Sequence, residues 1–311
     1  MGGMIMDSKM RVLVTGGRGF IGKYLVKMMR AAGWHVFAPS STDLDVRYTG
    51  DWDLLKDFKF NTVIHLAGKL MINSHSTQDY FDVNAIGTFN ILEFCRQMGI
   101  RRLVYAMTHS DTNRCKDTIR DYGCQTYGTN SWGANNAIPF IQSKVAAADM
   151  IEAYTRQKVL DGIILRLANI RGFGSSDTKY NSPFHQFIAK AKKCEPIEVW
   201  GNPPKTYRDF VYVKDVCKAF MLAAVAPAGK NGYYNIGSGV PMTILQEVEA
   251  IIDVFTPKHH QPSTIVLRPD IQEVRTASSL FETIHARMDL GWEPEFSYRD
   301  ALIDFKQEAG W

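Results

Sequence analysis

Cysteine is scarce and unpatterned. The five residues Cys95, Cys115, Cys124, Cys194 and Cys217 form an odd count with no C-x-x-C pair. A disulfide framework is therefore not expected, and reduced thiols point to a cytoplasmic setting. Cys115 and Cys124, with His109, could in principle hold a metal, but no zinc-type spacing supports them and no metal is expected. No run of about 18 apolar residues occurs, so no helix should span a membrane. The opening MGGMIMDSKM lacks the apolar stretch of a secretory leader. Charge of one sign is also lacking. The net charge of +4 comes from 36 Lys and Arg against 32 Asp and Glu. These are scattered along the chain, so no nucleic-acid partner is expected, although a slight positive bias suits a diphosphate. Low-complexity tracts and internal repeats are absent, which argues against disorder and against solenoids.

What is present fits a large folded chain: 311 residues, 45% hydrophobic and 12% aromatic. The first half alternates short β-branched runs with amphipathic stretches. MRVLVTG, WHVFAP, NTVIHLAG, RRLVYAM and DGIILRLAN read as strands. FIGKYLVKMMRAAG, DWDLLKDF, TQDYFDVNAIGTFNILEFCRQMG and PFIQSKVAAADMIEAYTRQ read as helices, with a long polar loop over 109–136. This order predicts βαβ units and a doubly wound parallel sheet of the Rossmann type. Beyond about residue 170 the rhythm turns irregular. Strands IEVWG, RDFVYV, YYNIG and TIVLR mix with helices near 182–193, 214–225, 241–255 and 299–308. The expected division is a nucleotide-binding domain over 1–170 and, over 171–311, a smaller α+β lobe that binds substrate and returns some elements to the first domain.

VLVTGGRGFIG lies at the first strand–helix junction, the context in which a glycine triplet signifies a dinucleotide loop. Gly16 permits the tight turn, Gly19 lets backbone approach a pyrophosphate, and Gly22 allows close helix packing. Arg18, Phe20 and Ile21 complete the candidate loop. About 20 residues on, where an acid would bind the ribose of NAD, stand Ser40 and Ser41. Neither would repel a 2′-phosphate and Arg18 could meet one, so NADP(H) is favoured over NAD.

The glycine loop, HLAG, the Lys-bearing helix and RDFVYVKD, in that order, resemble the extended short-chain dehydrogenase/reductase family over residues 10–311. More narrowly they resemble its NAD(P)-dependent nucleotide-sugar epimerases, dehydratases and reductases. VTGGRGFIG and TDLDV look most like the sugar-nucleotide reductase branch, and the later segments look more like the epimerases and dehydratases. The resemblance implies hydride transfer at a sugar carbon of a nucleotide-diphosphate sugar. It implies that Asp45 and Val46 contact adenine, and that Leu66, Ala67 and Gly68 run beside the pyrophosphate and nicotinamide ribose. Thr108 matches the Ser/Thr that hydrogen-bonds a reacting oxygen, and Lys144 the Lys that holds the ribose and lowers a neighbouring phenol's pKa. Asn169, Arg208 and Arg268 match groups that hold the substrate diphosphate. Arg171 stands where a Tyr is common. The resemblance also implies a homodimer, with helices near 78–98 and 138–157 forming a four-helix interface.

Phe140 falls where that family keeps its catalytic Tyr, four residues before Lys144. Loss of a general acid/base is worth roughly 10²–10⁴-fold. Three readings stand open. The Tyr has been replaced to trap a bound substrate; or Thr108 works with an acid/base from the long loop, such as His109, Tyr122, Cys124 or Tyr127; or the chain is a non-catalytic sensor or scaffold that binds cofactor and sugar nucleotide. Tyr154 and Lys158 share the spacing but lie at the far end of their helix, away from the carboxyl ends of the strands.

Overall fold

The computed structural model describes residues 9–50, 52–70, 76–108, 137–174, 182–201, 207–271 and 280–311. In chain order the first half gives β1 (Arg11–Thr15), α1 (Phe20–Ala31), β2 (His35–Phe37), a 3-10 helix (Trp52–Phe58) and β3 (Thr62–His65). A long helical run follows, made of α2 (Thr77–Tyr80), a π segment (Phe81–Ile86) and α3 (Gly87–Met98). Then come β4 (Arg102–Thr108), α4 (Ala137–Arg156), β5 (Asp161–Leu167) and β6 (Asn169–Arg171). The second half adds α5 (Pro183–Lys193), β7 (Ile197–Trp200), β8 (Tyr207–Arg208), β9 (Phe210–Tyr212), α6 (Val213–Val225) and β10 (Gly232–Ile236). It ends with β11 (Met242–Thr243), α7 (Ile244–Phe255), β12 (Ile265–Arg268), α8 (Ile284–Leu290) and α9 (Tyr298–Glu308).

Six strands form one sheet in the order β10-β5-β4-β3-β1-β2, and every pairing is parallel. Val12, Leu13 and Val14 of β1 are completely buried because helices cover both faces of the sheet, which is why these strands read as unbroken apolar runs. On one face α1 and α6 pack through Leu25, Met29, Val213, Val216 and Phe220. On the other, α3 and α4 pack through Ile91, Leu92, Ala147 and Ile151. A separate core of Phe184, Ile188, Val248, Ile251 and Phe305 joins α5, α7 and α9 in the second half. β1 has β2 on one side and β3 on the other, so the direction of winding reverses there. The carboxyl ends of β1 and β3 therefore open the crevice in which such sheets bind ligands.

Two elements differ from the sequence expectation, and YYNIG is one of those that return to the first domain. The helix over 77–98 carries a π turn at Phe81–Ile86. RDFVYV is not one strand, because Asp209 separates β8 from β9. Its buried carboxylate accepts the Ser238 N–H (2.6 Å), the Ser238 hydroxyl (2.8 Å), the Gly239 N–H (3.0 Å) and the Phe281 N–H (3.1 Å). YYNIG extends the main sheet as β10 beside β5, with Tyr234 opposite Leu165.

Candidate functional site

The glycine loop is a backbone-to-backbone contact. Gly16 adopts φ +69°, and a Cβ there would stand 2.6 Å from the Ala67 nitrogen. A Cβ on Gly22 would stand 2.4 Å from the Gly16 oxygen. The turn, the first turn of α1 and the 66–67 segment thus pack with no room for a side chain. Gly19 is the N-cap of α1, and no side chain caps the helix or places an acid in its first turn. The orphan amides of that turn and the positive end of the helix dipole are left to meet an anion, which fits a dinucleotide pyrophosphate. Phe20 and Ile21 pack their side chains against the α1/α6 core, so their backbone is what faces the loop.

Beyond β2 the structure reveals an acid that the spacing argument passed over. The Asp43 carboxylate accepts from the Ser40 N–H (3.0 Å) and the Ser40 hydroxyl (2.6 Å). Arg18 pairs with it at 3.4 Å. The Ser40 hydrogen bonds hold the Asp43 carboxyl below the usual carboxylate range. Ser41 is exposed. Asp45 is gripped by Arg47 (Nη2–Oδ2 2.6 Å), and Arg47 depresses its pKa. Val46 is buried, with its side chain 2.6 Å from where a Cβ on Gly87 would lie.

The opposite wall is tied together by a directed chain of hydrogen bonds. The Thr88 hydroxyl donates to the Asn84 carbonyl (2.6 Å) in the π segment, so it must accept from His65 Nε2 (3.0 Å). The imidazole is then the Nε2–H tautomer, and its Nδ1 accepts from the Thr15 hydroxyl (2.6 Å). That hydroxyl also accepts from the Ala67 N–H (3.3 Å). Burial, with the Lys144 ammonium adding to it, pushes the His65 pKa down to about 3. Asn84 is buried as well. Its side chain accepts the Lys69 N–H (2.7 Å) and donates to the Ser143 hydroxyl (3.0 Å). Asn84 went unremarked in the sequence, where a lone Asn on a helix carries no signal. Only the π turn, a distortion common at functional sites, marks it.

Lys144 stands where β3 and β4 open. Its ammonium donates to the Ala106 carbonyl (2.9 Å) and lies over the Tyr105 ring, 4.4 Å from the centroid. It is 3.4 Å from the place of a Cβ on Gly68. Burial alone lowers its pKa to about 7. Thr108, two residues beyond Ala106, ends β4. Phe140 is buried one turn before Lys144, edge-on to Tyr80 at 5.9 Å. Tyr154 donates to Glu93 of α3 at the far end of α4, remote from these groups. His109, Cys115, Tyr122, Cys124 and Tyr127 lie outside the described residues.

The residues expected to hold a diphosphate are only partly brought together. Asn169 donates from its backbone (3.2 Å) and side chain (3.1 Å) to the carbonyl of Asp209, the neighbour of Arg208. Arg268 sits on a different ribbon, β12, opposite Trp200 of β7, and is engaged by Asp270 (2.9 Å) and Glu198 (3.4 Å). Arg171 turns into the second-half core rather than the crevice. It pairs with Glu247 at 2.7 Å between the faces of Phe184 and Phe210, and Tyr298 donates to the same carboxylate (2.8 Å). Among the described residues no group of three or more His, Cys, Asp or Glu could hold a metal. No described helix is long and apolar enough to cross a membrane.

A sequence model described as the NAD dependent epimerase/dehydratase family matches residues 12–237. The chain is 27% identical to a putative UDP-glucose 4-epimerase of Methanocaldococcus jannaschii, over 96% of this chain and 97% of that one. It is 25% identical to the solved UDP-glucose 4-epimerase of Thermus thermophilus in complex with NAD, with TM-score 0.71 over 96% and 98% of the two chains. An epimerase from Methanothermobacter thermautotrophicus shares the fold at TM-score 0.76 and 20% identity, over 99% and 96%.

Proposed function

The chain belongs to the NAD-dependent epimerase/dehydratase family, and on that premise we propose that it carries out reversible hydride transfer at a carbon of a nucleotide-diphosphate sugar. The observation that carries this reading is Lys144. A buried ammonium held between Gly68 and Ala106, at the mouth of a glycine cradle, has no ion-pair partner among the described residues to repay its desolvation. A nicotinamide dinucleotide fits the cradle. Gly16, Gly19 and Gly22 would take the pyrophosphate, Asp45 and Val46 the adenine side, and Leu66 to Gly68 with Lys144 the nicotinamide ribose. When bound, the dinucleotide supplies a reversible hydride acceptor. Thr108 then hydrogen-bonds the reacting oxygen, while Asn169, Arg208 and Arg268 serve the diphosphate in a substrate lobe over 171–311.

Asp43 alters the ground for favouring NADP(H). A 2′-phosphate would have to displace a carboxylate from Arg18 and from Ser40, so we read NAD as the better fit and NADP(H) as the poorer. A homodimer is supported by exposed Ile86 and Phe89 on the helical run that faces α4. A reducing, cytoplasmic setting suits the free thiols of Cys95, Cys194 and Cys217.

The test is incubation with NAD and a panel of UDP-glucose, UDP-N-acetylglucosamine, dTDP-glucose and GDP-mannose, with products resolved by NMR. Mass spectrometry of whatever copurifies with the chain adds a second readout. Absence of dinucleotide binding would overturn the reading. Phe140 favours a second reading, a binding module without turnover. Tight binding with no conversion, in this chain and in Phe140→Tyr alike, would establish that one.

A further inference from the structure

Position 140 carries no proton that can be exchanged, yet the helix turn that follows it delivers a nitrogen to the crevice. Lys144 lies on the same face of α4 as Phe140, one turn on. Among the described residues its Nζ donates to one carbonyl, that of Ala106, and Ala106 and Thr108 lie two residues apart on β4, on the same side of the strand. Lys144 makes no ion pair among the described residues. The titratable groups that face it are Tyr105 beneath it on β4 and His65 on β3, which burial keeps neutral. The π segment contributes the Asn84 amide, and α4 itself the Ser143 hydroxyl. Among the described residues no carboxylate holds the ammonium in its charged form, and the Tyr105 ring face compensates only in part for lost water.

We propose that Lys144 is itself the proton-transfer group of this cleft, its Nζ taking the proton of the sugar hydroxyl that is oxidised and returning it when the carbonyl is reduced. The inference rests on the reading of the site as one for hydride transfer on a nucleotide sugar. In the oxidative direction the hydroxyl O–H bond breaks as an N–H bond forms at neutral Nζ. The adjacent C–H bond breaks, its electron pair and hydrogen leaving as hydride to an oxidised nicotinamide dinucleotide, and a C=O bond forms. The alcohol loses two electrons and the dinucleotide gains them; reversal returns both hydrogens. A side chain lowered by burial to about 7 has both protonation states populated near neutral pH, as the two directions require. An arginine cannot serve, because its guanidinium stays protonated throughout the accessible pH range.

The experiment compares the full-length chain with Lys144→Arg, using NAD and whichever panel sugar the wild type converts. Lys144→Arg keeps the positive charge and should still bind NAD, and at saturating NAD it should lose roughly 10²–10⁴-fold in kcat. In lysine-labelled wild-type protein, the ε-carbon resonance of Lys144 should titrate near the pH at which kcat rises, far below the other lysines. Retention of kcat within about threefold in Lys144→Arg would reduce Lys144 to a fixed charge and overturn the proposal. So would separation of the resonance and rate midpoints by more than about one pH unit, which decides the matter even if Lys144→Arg fails to fold. If the wild type binds NAD and converts no sugar, the functional reading itself fails and takes this one with it. If the wild type converts sugar and Lys144→Arg does too, only the role of Lys144 fails.

Discussion

Replacing His65 with leucine, a side chain of similar volume, separates what the imidazole does by shape from what it does by hydrogen bonding. In the wild type the ring accepts from Thr15 and donates to Thr88, and all three side chains are buried. Leucine leaves the Thr15 hydroxyl proton with no acceptor on that side, at a cost of about 1–3 kcal/mol near neutral pH. The pH dependence makes the test sharper. The folded-state pKa of His65 lies near 3, below the value of about 6.5 for an unfolded histidine. As the pH falls, the unfolded chain binds the proton first. Wild-type stability from this group is therefore full above about pH 6.5 and is lost from there down towards about 3. Between about pH 7.5 and about pH 4.5 the loss amounts to about 2–3 kcal/mol, and His65→Leu does not share it. Urea unfolding at the two pH values should show the leucine variant less stable at the higher one, with the gap closed at the lower. A gap unchanged between them would refute both the buried neutral imidazole and the directed chain built on it.

Three further outcomes follow from the same geometry. Gly22→Ala sets a Cβ 2.4 Å from the Gly16 carbonyl, so it should weaken NAD binding by calorimetry at least about tenfold while circular dichroism stays close to wild type. Asp43→Asn removes the carboxylate beside Ser40 and Arg18, and the ratio of NADP to NAD affinity should rise, by about tenfold or more if Arg18 then meets the 2′-phosphate. Arg171→Ala strands the Glu247 carboxylate in the second-half core and should cost about 3–5 kcal/mol in urea unfolding, whereas Arg171→Met with Glu247→Leu should cost far less.

Much of the nucleotide half was legible because its signals are local. A β-branched run, a glycine turn and an apolar stripe every three or four residues sufficed to place β1, the loop and α1. Lys144 was singled out by its place four residues after Phe140 and by the family resemblance. The features that escaped depend on contacts between distant residues. Asp43 lies three residues past the expected position and reaches the site only because the chain folds back onto Ser40. Arg171 read as a change in a substrate site, but its partner Glu247 is 76 residues away. Asp209 sits in a segment with every mark of a continuous strand. What breaks the strand is the demand of a buried carboxylate for four donors drawn from residues 238, 239 and 281. The π turn at Asn84 is invisible to periodicity, since one widened turn barely shifts an apolar stripe.

The pairing of β10 with β5 has a consequence for how the polypeptide is made. During synthesis β5 emerges with one edge open, and its closing partner follows some 70 residues later, from Gly232 onward. Until then a nascent chain exposes an apolar parallel edge, together with the face of α1 that α6 will cover, the kind of surface on which chains associate wrongly. Fragments ending near residue 170 should therefore aggregate, and the smallest soluble unit should extend past Ile236.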